Sequence, residues 1–128
     1  MNKVYIVDTN IILRFLLQDI TSQFNQAKKM FTEAKNGKIK LIVPQIVIFE
    51  INFTLKRFYK LGKEDIIEKT KQIVSTEYIE VESRNIFQNA LILYKKNNVS
   101  LVDCFLVSKA EAEEADLFTF DKKLKKLQ

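Results

Sequence analysis

Apolar residues fall along this chain in short runs of two kinds. Val4, Tyr5, Ile6 and Val7 are contiguous and stop abruptly at Asp8 in V-Y-I-V-D-T-N, which reads as a buried central strand whose carboxyl end opens onto a site. Ile39 to Val43 is a second such run, stopped by Pro44, and Tyr78 to Val81 and Leu117 to Phe120 are two more. Between them the spacing turns helical. Ile11 to Leu17 reads as a short buried helix with Asn10 placed to cap it, and Phe24, Ala27, Phe31 and Ala34 mark an amphipathic one ended by Asn36-Gly37. Ile66, Ile67, Thr70, Ile73 and Val74 mark the next after the break at Gly62. Ile86, Phe87, Ala90, Leu91 and Tyr94 follow, up to Asn97-Asn98. Ser100 then opens a helix towards Glu114, and the basic tail from Lys122 reads as a terminal helix.

Gln45 to Leu61 carries two conflicting signals. Phe49, Ile51, Phe53 and Leu55 alternate with Glu50, Asn52, Thr54 and Lys56, the period of a half-buried strand. Yet Pro44 suits a first helical turn, and the run is long for a strand and ordinary for a helix. The local reading is helix. Short strands alternating with helices imply crossover connections, so the fold class is α/β: one domain over residues 1–128, with a short, mainly parallel sheet of about four strands flanked by helices.

Composition narrows the chemistry. A chain of 128 residues with 47% hydrophobic content can bury a core. No apolar run approaches the roughly 18 residues of a membrane span and no basic-then-apolar leader precedes Val4, so the expected location is cytoplasmic, without membrane association. Cys104 stands alone within an apolar run and reads as a small core residue. The chain contains no histidine, so a bound metal must be held by oxygen, which favours Mg²⁺ or Mn²⁺ over Zn²⁺. The formal net charge of +5 favours a polyanionic partner. Cations are interleaved with aromatics at Lys56, Arg57, Phe58, Tyr59 and Lys60, and the tail carries Lys122, Lys123, Lys125 and Lys126. That mixture suits nucleic acid, although either cluster alone also fits a solvated helix face.

Against this background Asp8, Glu50, Asp103 and Asp121 each sit at or near the edge of an apolar element. Each has a structural alternative. Asp8 and Asp121 could cap helices, Ser100-Leu101-Val102-Asp103 is a capping-box-like pattern, and Glu50 could be the exposed residue of an amphipathic stretch. Taken jointly, grouped carboxylates repel unless they share protons or bind cations.

The chain resembles the PIN domains, and in particular the VapC-type ribonuclease toxins of toxin–antitoxin modules. The resemblance rests on V-D-T-N at Val7 to Asn10 with Arg14 following in I-L-R-F-L-L, on I-F-E-I around Glu50, on S-L-V-D ending at Asp103, and on T-F-D ending at Asp121. It implies a PIN-like fold and a helix at Gln45 to Leu61. It also implies that Asp8, Glu50, Asp103 and Asp121 hold one or two divalent ions, Mg²⁺ or Mn²⁺, with Asn10 and Thr119 supporting them. Asp116 lies near Asp121 and is the alternative fourth acid. Cys104 stands where a small residue such as Ala is common in the family.

The activity so implied is a metal-dependent endoribonuclease acting on RNA phosphodiester bonds. Lys56, Arg57, Lys122 and Lys123 would hold the RNA backbone, and the expected partners are a cognate antitoxin and a second copy of the chain. A catalytically inactive PIN-fold module that binds nucleic acid or protein is the alternative. A haloacid-dehalogenase-like phosphatase wants a second Asp two residues after the first, where Asn10 stands instead. A phosphoreceiver domain wants an acid pair near the first strand, and none is present.

Overall fold

The computed structural model describes residues 3–128. Strand β1 (Lys3–Ile6) pairs in parallel with β2 (Ile39–Val43), which pairs in parallel with β3 (Glu80–Val81), giving one three-stranded sheet in the order β1-β2-β3. The register sets Lys3 opposite Ile39 and Ile42 opposite Glu80. Between β1 and β2 run α1 (Thr9–Leu17) and α2 (Thr21–Lys35), and between β2 and β3 run α3 (Gln45–Arg57) and α4 (Lys63–Val74). After β3 come α5 (Arg84–Lys96), α6 (Leu101–Ala112) and α7 (Lys122–Leu127). The fold is α/β, with all pairing parallel. By its internal contacts the chain separates into two compact units, the first ending at Glu82 and the second being Ser83–Gln128.

In the first unit α1 packs against α2 and α3, α3 against α4, and α2 against β2. Ile12, Leu41, Val43, Ile48, Ile51, Leu55, Ile66 and Ile73 are almost wholly buried. Within α3 the buried residues Val47, Ile48, Ile51 and Leu55 recur at helical spacing, whereas Phe53 is exposed. The alternation in the sequence is therefore incidental, and Gln45 to Arg57 is helix. The end of α2 is a Schellman motif: Gly37 N–H donates to Ala34 O at 3.0 Å and Lys38 N–H to Glu33 O at 2.9 Å, with Gly37 at φ 75°. In the second unit α5 packs on α6 and α6 on α7, around Phe87, Ala90, Leu91, Cys104 and Phe105. Cys104 is a buried free thiol, as the apolar run implies.

Three expectations are corrected. The first strand is not a buried central one: β2 is central, β1 lies at the edge, and Val4 and Ile6 are 52% and 68% exposed. Contiguous apolar residues do not reveal which strand is flanked on both sides. Asn10 does not cap α1, because the helix begins one residue before it and Asp8 takes the cap position. The expected fourth strand at Leu117 to Phe120 is not formed among the described residues, so the sheet has three strands. Both backbone groups of Leu117 are taken by the Gln128 amide, at 2.9 and 3.2 Å, rather than by a strand ladder. Phe118 and Phe120 are 89% and 88% exposed.

Candidate functional site

Asp8 stands where β1 gives way to α1. Its backbone is extended (φ −88°, ψ 171°), and its Oδ1 accepts a hydrogen bond from Ile11 N–H at 3.1 Å, meeting one of the donors that a helix N-terminus leaves free. The first helical turn also favours the negative charge. Asp8 Oδ2 carries no hydrogen bond among the described residues. The next residue, Thr9, reaches across to α3, where its hydroxyl donates to Glu50 Oε2 at 3.2 Å. Asp8 and Glu50 are thus associated through adjacent residues although 42 positions separate them in the sequence. Both are exposed.

Behind them, Arg14 on α1 is 7% exposed. Its Nη1 donates to Asp19 Oδ2 at 3.2 Å and its Nη2 to the Tyr59 hydroxyl, while its Nε is buried without a hydrogen-bond partner among the described residues. A buried guanidinium holds its orientation only where carboxylate and hydroxyl oxygens meet its donors; the Asp19 bond is local to the end of α1, and the Tyr59 bond ties the segment after α3 to α1. Beside that tie Lys56 and Arg57 are exposed in the last turn of α3, with the Arg57 guanidinium 5.9 Å from the Phe53 ring centre.

In the second unit Ser100 caps α6, its Oγ accepting from Asp103 N–H at 3.1 Å, which leaves the half-buried Asp103 carboxylate clear of the cap. Asp121 caps α7, its Oδ1 accepting from Lys123 N–H at 2.8 Å and Leu124 N–H at 3.3 Å. Thr119 braces it, the Oγ1 accepting from Asp121 N–H at 3.0 Å. Lys122 and Lys123 are exposed on α7, and Asp116 is exposed in the stretch before it. Capping is therefore a role that Asp8 and Asp121 do play, alongside any other. Among the described residues no three Asp, Glu, Cys or His side chains gather into a group able to hold a metal.

Residues 5–128 match the PIN domain. The chain belongs to the PIN-domain family. A curated VapC ribonuclease from Aquifex aeolicus (strain VF5) is 30% identical over 123 residues, covering 95% of this chain and 90% of that protein. No helix among the described residues of this PIN domain is long and apolar enough to cross a membrane.

The chemistry of the donors suits a hard divalent cation. All are carboxylate oxygens, and in the first unit Asp8 Oδ2 and Glu50 Oε1 have no hydrogen-bond partner among the described residues. Thr9, Asp19 and the Arg14–Tyr59 pairing are not among the candidates that the sequence offers. Thr9 was the one within reach, since it stands between the two residues of V-D-T-N already marked. Its contact spans 41 positions and leaves no local trace.

Proposed function

We propose that this PIN domain is a divalent-metal-dependent endoribonuclease and the toxin of a toxin–antitoxin pair. The observation that carries the reading is the Asp8–Thr9–Glu50 arrangement, an uncommitted carboxylate oxygen at a strand-to-helix turn beside a hydroxyl that orients a second carboxylate from α3. Asp8, Glu50, Asp103 and Asp121 are the residues that would hold Mg²⁺ or Mn²⁺. Such an ion, when bound, supplies a nucleophilic water near neutral pH and offsets charge at the phosphoryl group. Thr9 leaves Glu50 one free oxygen and restricts its rotation. Asn10 and Thr119 are the residues that would support these acids, Thr119 through the hydrogen bond it accepts from Asp121 N–H. Lys56, Arg57, Lys122 and Lys123 take the RNA phosphates, and Phe58 and Tyr59 beside the first pair accept unpaired bases. Similarity to a VapC ribonuclease supports RNA as substrate; a cognate antitoxin as inhibitor and a cytoplasmic location are part of the same proposal. Purified protein is expected to cut single-stranded or loop RNA with Mg²⁺ or Mn²⁺ and to stop in EDTA. Undiminished cleavage in EDTA would overturn the metal requirement.

The same reading includes a homodimer. Ile46, Phe53 and Phe58 are more than half exposed on and just after α3, and Phe53 and Phe58 meet edge to face at 6.3 Å. Sedimentation at tens of micromolar, a concentration on the order used to test weak association, should show a dimer; a monomer there refutes it.

A further inference from the structure

A groove along α1 and α2, lined by none of the four acids, has a chemistry of its own. Phe15, Phe24 and Phe31 form its aromatic side: the Phe15 and Phe31 rings stack with centroids 4.2 Å apart at 29°, and Phe15 and Phe24 at 6.0 Å and 26°. Tyr78, on the segment entering β3, contributes a fourth ring. The groove measures about 490 Å³, within the roughly 300–1,000 Å³ usual for small-ligand sites. Both charged side chains that line it are lysines, Lys28 and Lys35, and Gln18 and Thr32 add an amide and a hydroxyl. Lys28 Nζ lies 6.0 Å from the Phe24 ring centre. The pair Phe24 and Lys28 recurs as Phe31 and Lys35, seven residues on. The two lysines therefore stand on one face of α2, about 10.5 Å apart along its axis at 1.5 Å per residue.

Alternating rings and cations match the alternation of bases and phosphates along a single strand, and the absence of lining carboxylates removes repulsion of a polyanion. We propose that this groove binds an unpaired nucleotide of single-stranded RNA, its base stacked on the accessible faces of Phe15, Phe24 and Tyr78 and its flanking phosphates on Lys28 and Lys35. It is a substrate-positioning site apart from the acids. The choice of RNA rests on the ribonuclease reading; the preference for a stacked polyanion rests on the groove.

The test is fluorescence anisotropy of a labelled mixed-sequence 12-nucleotide single-stranded RNA in EDTA, with the full-length protein. Lys28→Glu/Lys35→Glu, at two exposed positions, should weaken binding at least tenfold and make the slope of log affinity against log salt shallower by about 1.4, at roughly 0.7 per phosphate contact. Phe24→Leu keeps an apolar side chain without a stacking face and should weaken binding roughly tenfold. Lys95→Glu/Lys96→Glu changes the net charge equally and should stay within about twofold of wild type. In cleavage assays the groove variants should raise KM with kcat retained. Equal weakening by both lysine pairs, or unchanged binding and KM in the groove variants, overturns the proposal. So does tighter capture of a Glu- and Phe-containing peptide than of the RNA, which would make this a protein-binding groove. RNA binding through Lys28 and Lys35 without any cleavage would instead leave the groove standing and sink the ribonuclease reading.

Discussion

Replacing Asp8 by Asn should lower RNA cleavage at least about a hundredfold while shifting the stability of the metal-free protein by no more than about 1 kcal/mol. Asp8 does two things in the structure: Oδ1 caps α1 through Ile11 N–H, and Oδ2 is left uncommitted. Asn caps a helix about as well as Asp, so the substitution keeps the first and removes the charge that a cation would need. The residual stability effect is the interaction of that charge with the helix N-terminus, roughly 0.3–1 kcal/mol. Asp8→Ala removes both roles and should cost about a further 1 kcal/mol. Divalent metal that binds the native state alone should raise the wild-type melting temperature, by a linkage of about 2.7 kcal/mol at a hundredfold excess over its dissociation constant. Asp8→Asn should show little of that rise. Calorimetry of the three proteins with and without Mn²⁺ checks this, and equal metal-induced shifts in wild type and Asp8→Asn would remove Asp8 from the site.

Phe87→Ala should destabilise the protein by about 3–5 kcal/mol, a large part of the roughly 5–15 kcal/mol that holds a domain of this size folded. Phe87 on α5 is fully buried, and its ring lies 4.8 Å from that of Phe105 on α6 at 45°. Truncation leaves a cavity beneath the helix pair and removes the ring contact, and both effects have the same sign. Phe118→Ala provides the contrast. Phe118 is as large and as apolar in the sequence, yet its exposure limits the expected change to about 0.5 kcal/mol. Urea unfolding of the two variants measures the difference, and similar midpoints would contradict the assignment of Phe87 to the core.

Helices α2, α4 and α5 were legible in the chain because their buried residues recur every three or four positions, and that period is a property of the sequence itself, whereas α6 was legible from its cap, since Val102 and Leu106 in its apolar run are exposed. The same local chemistry located Ser100 as a cap and Gly37 as a stop. It also marked Asp8 at the end of the first strand, and the order of short strands and helices was enough for the α/β class. In α3 local information conflicted: a period of two in the sequence lies over buried Ile48, Ile51 and Leu55, and packing against α1 and α4 is what fixes the face. Which strand is central was beyond the sequence, since Val4 and Ile6 are as apolar as Leu41 and Val43 yet exposed at the sheet edge. Leu117 to Phe120 had the composition of a strand, but a strand requires a partner ladder, and here the Gln128 amide occupies the Leu117 backbone. Thr9 to Glu50 and Arg14 to Tyr59 span 41 and 45 positions. Such contacts exist only once α1 lies against α3, because a hydrogen bond depends on separation in space and leaves no period in the chain that makes it.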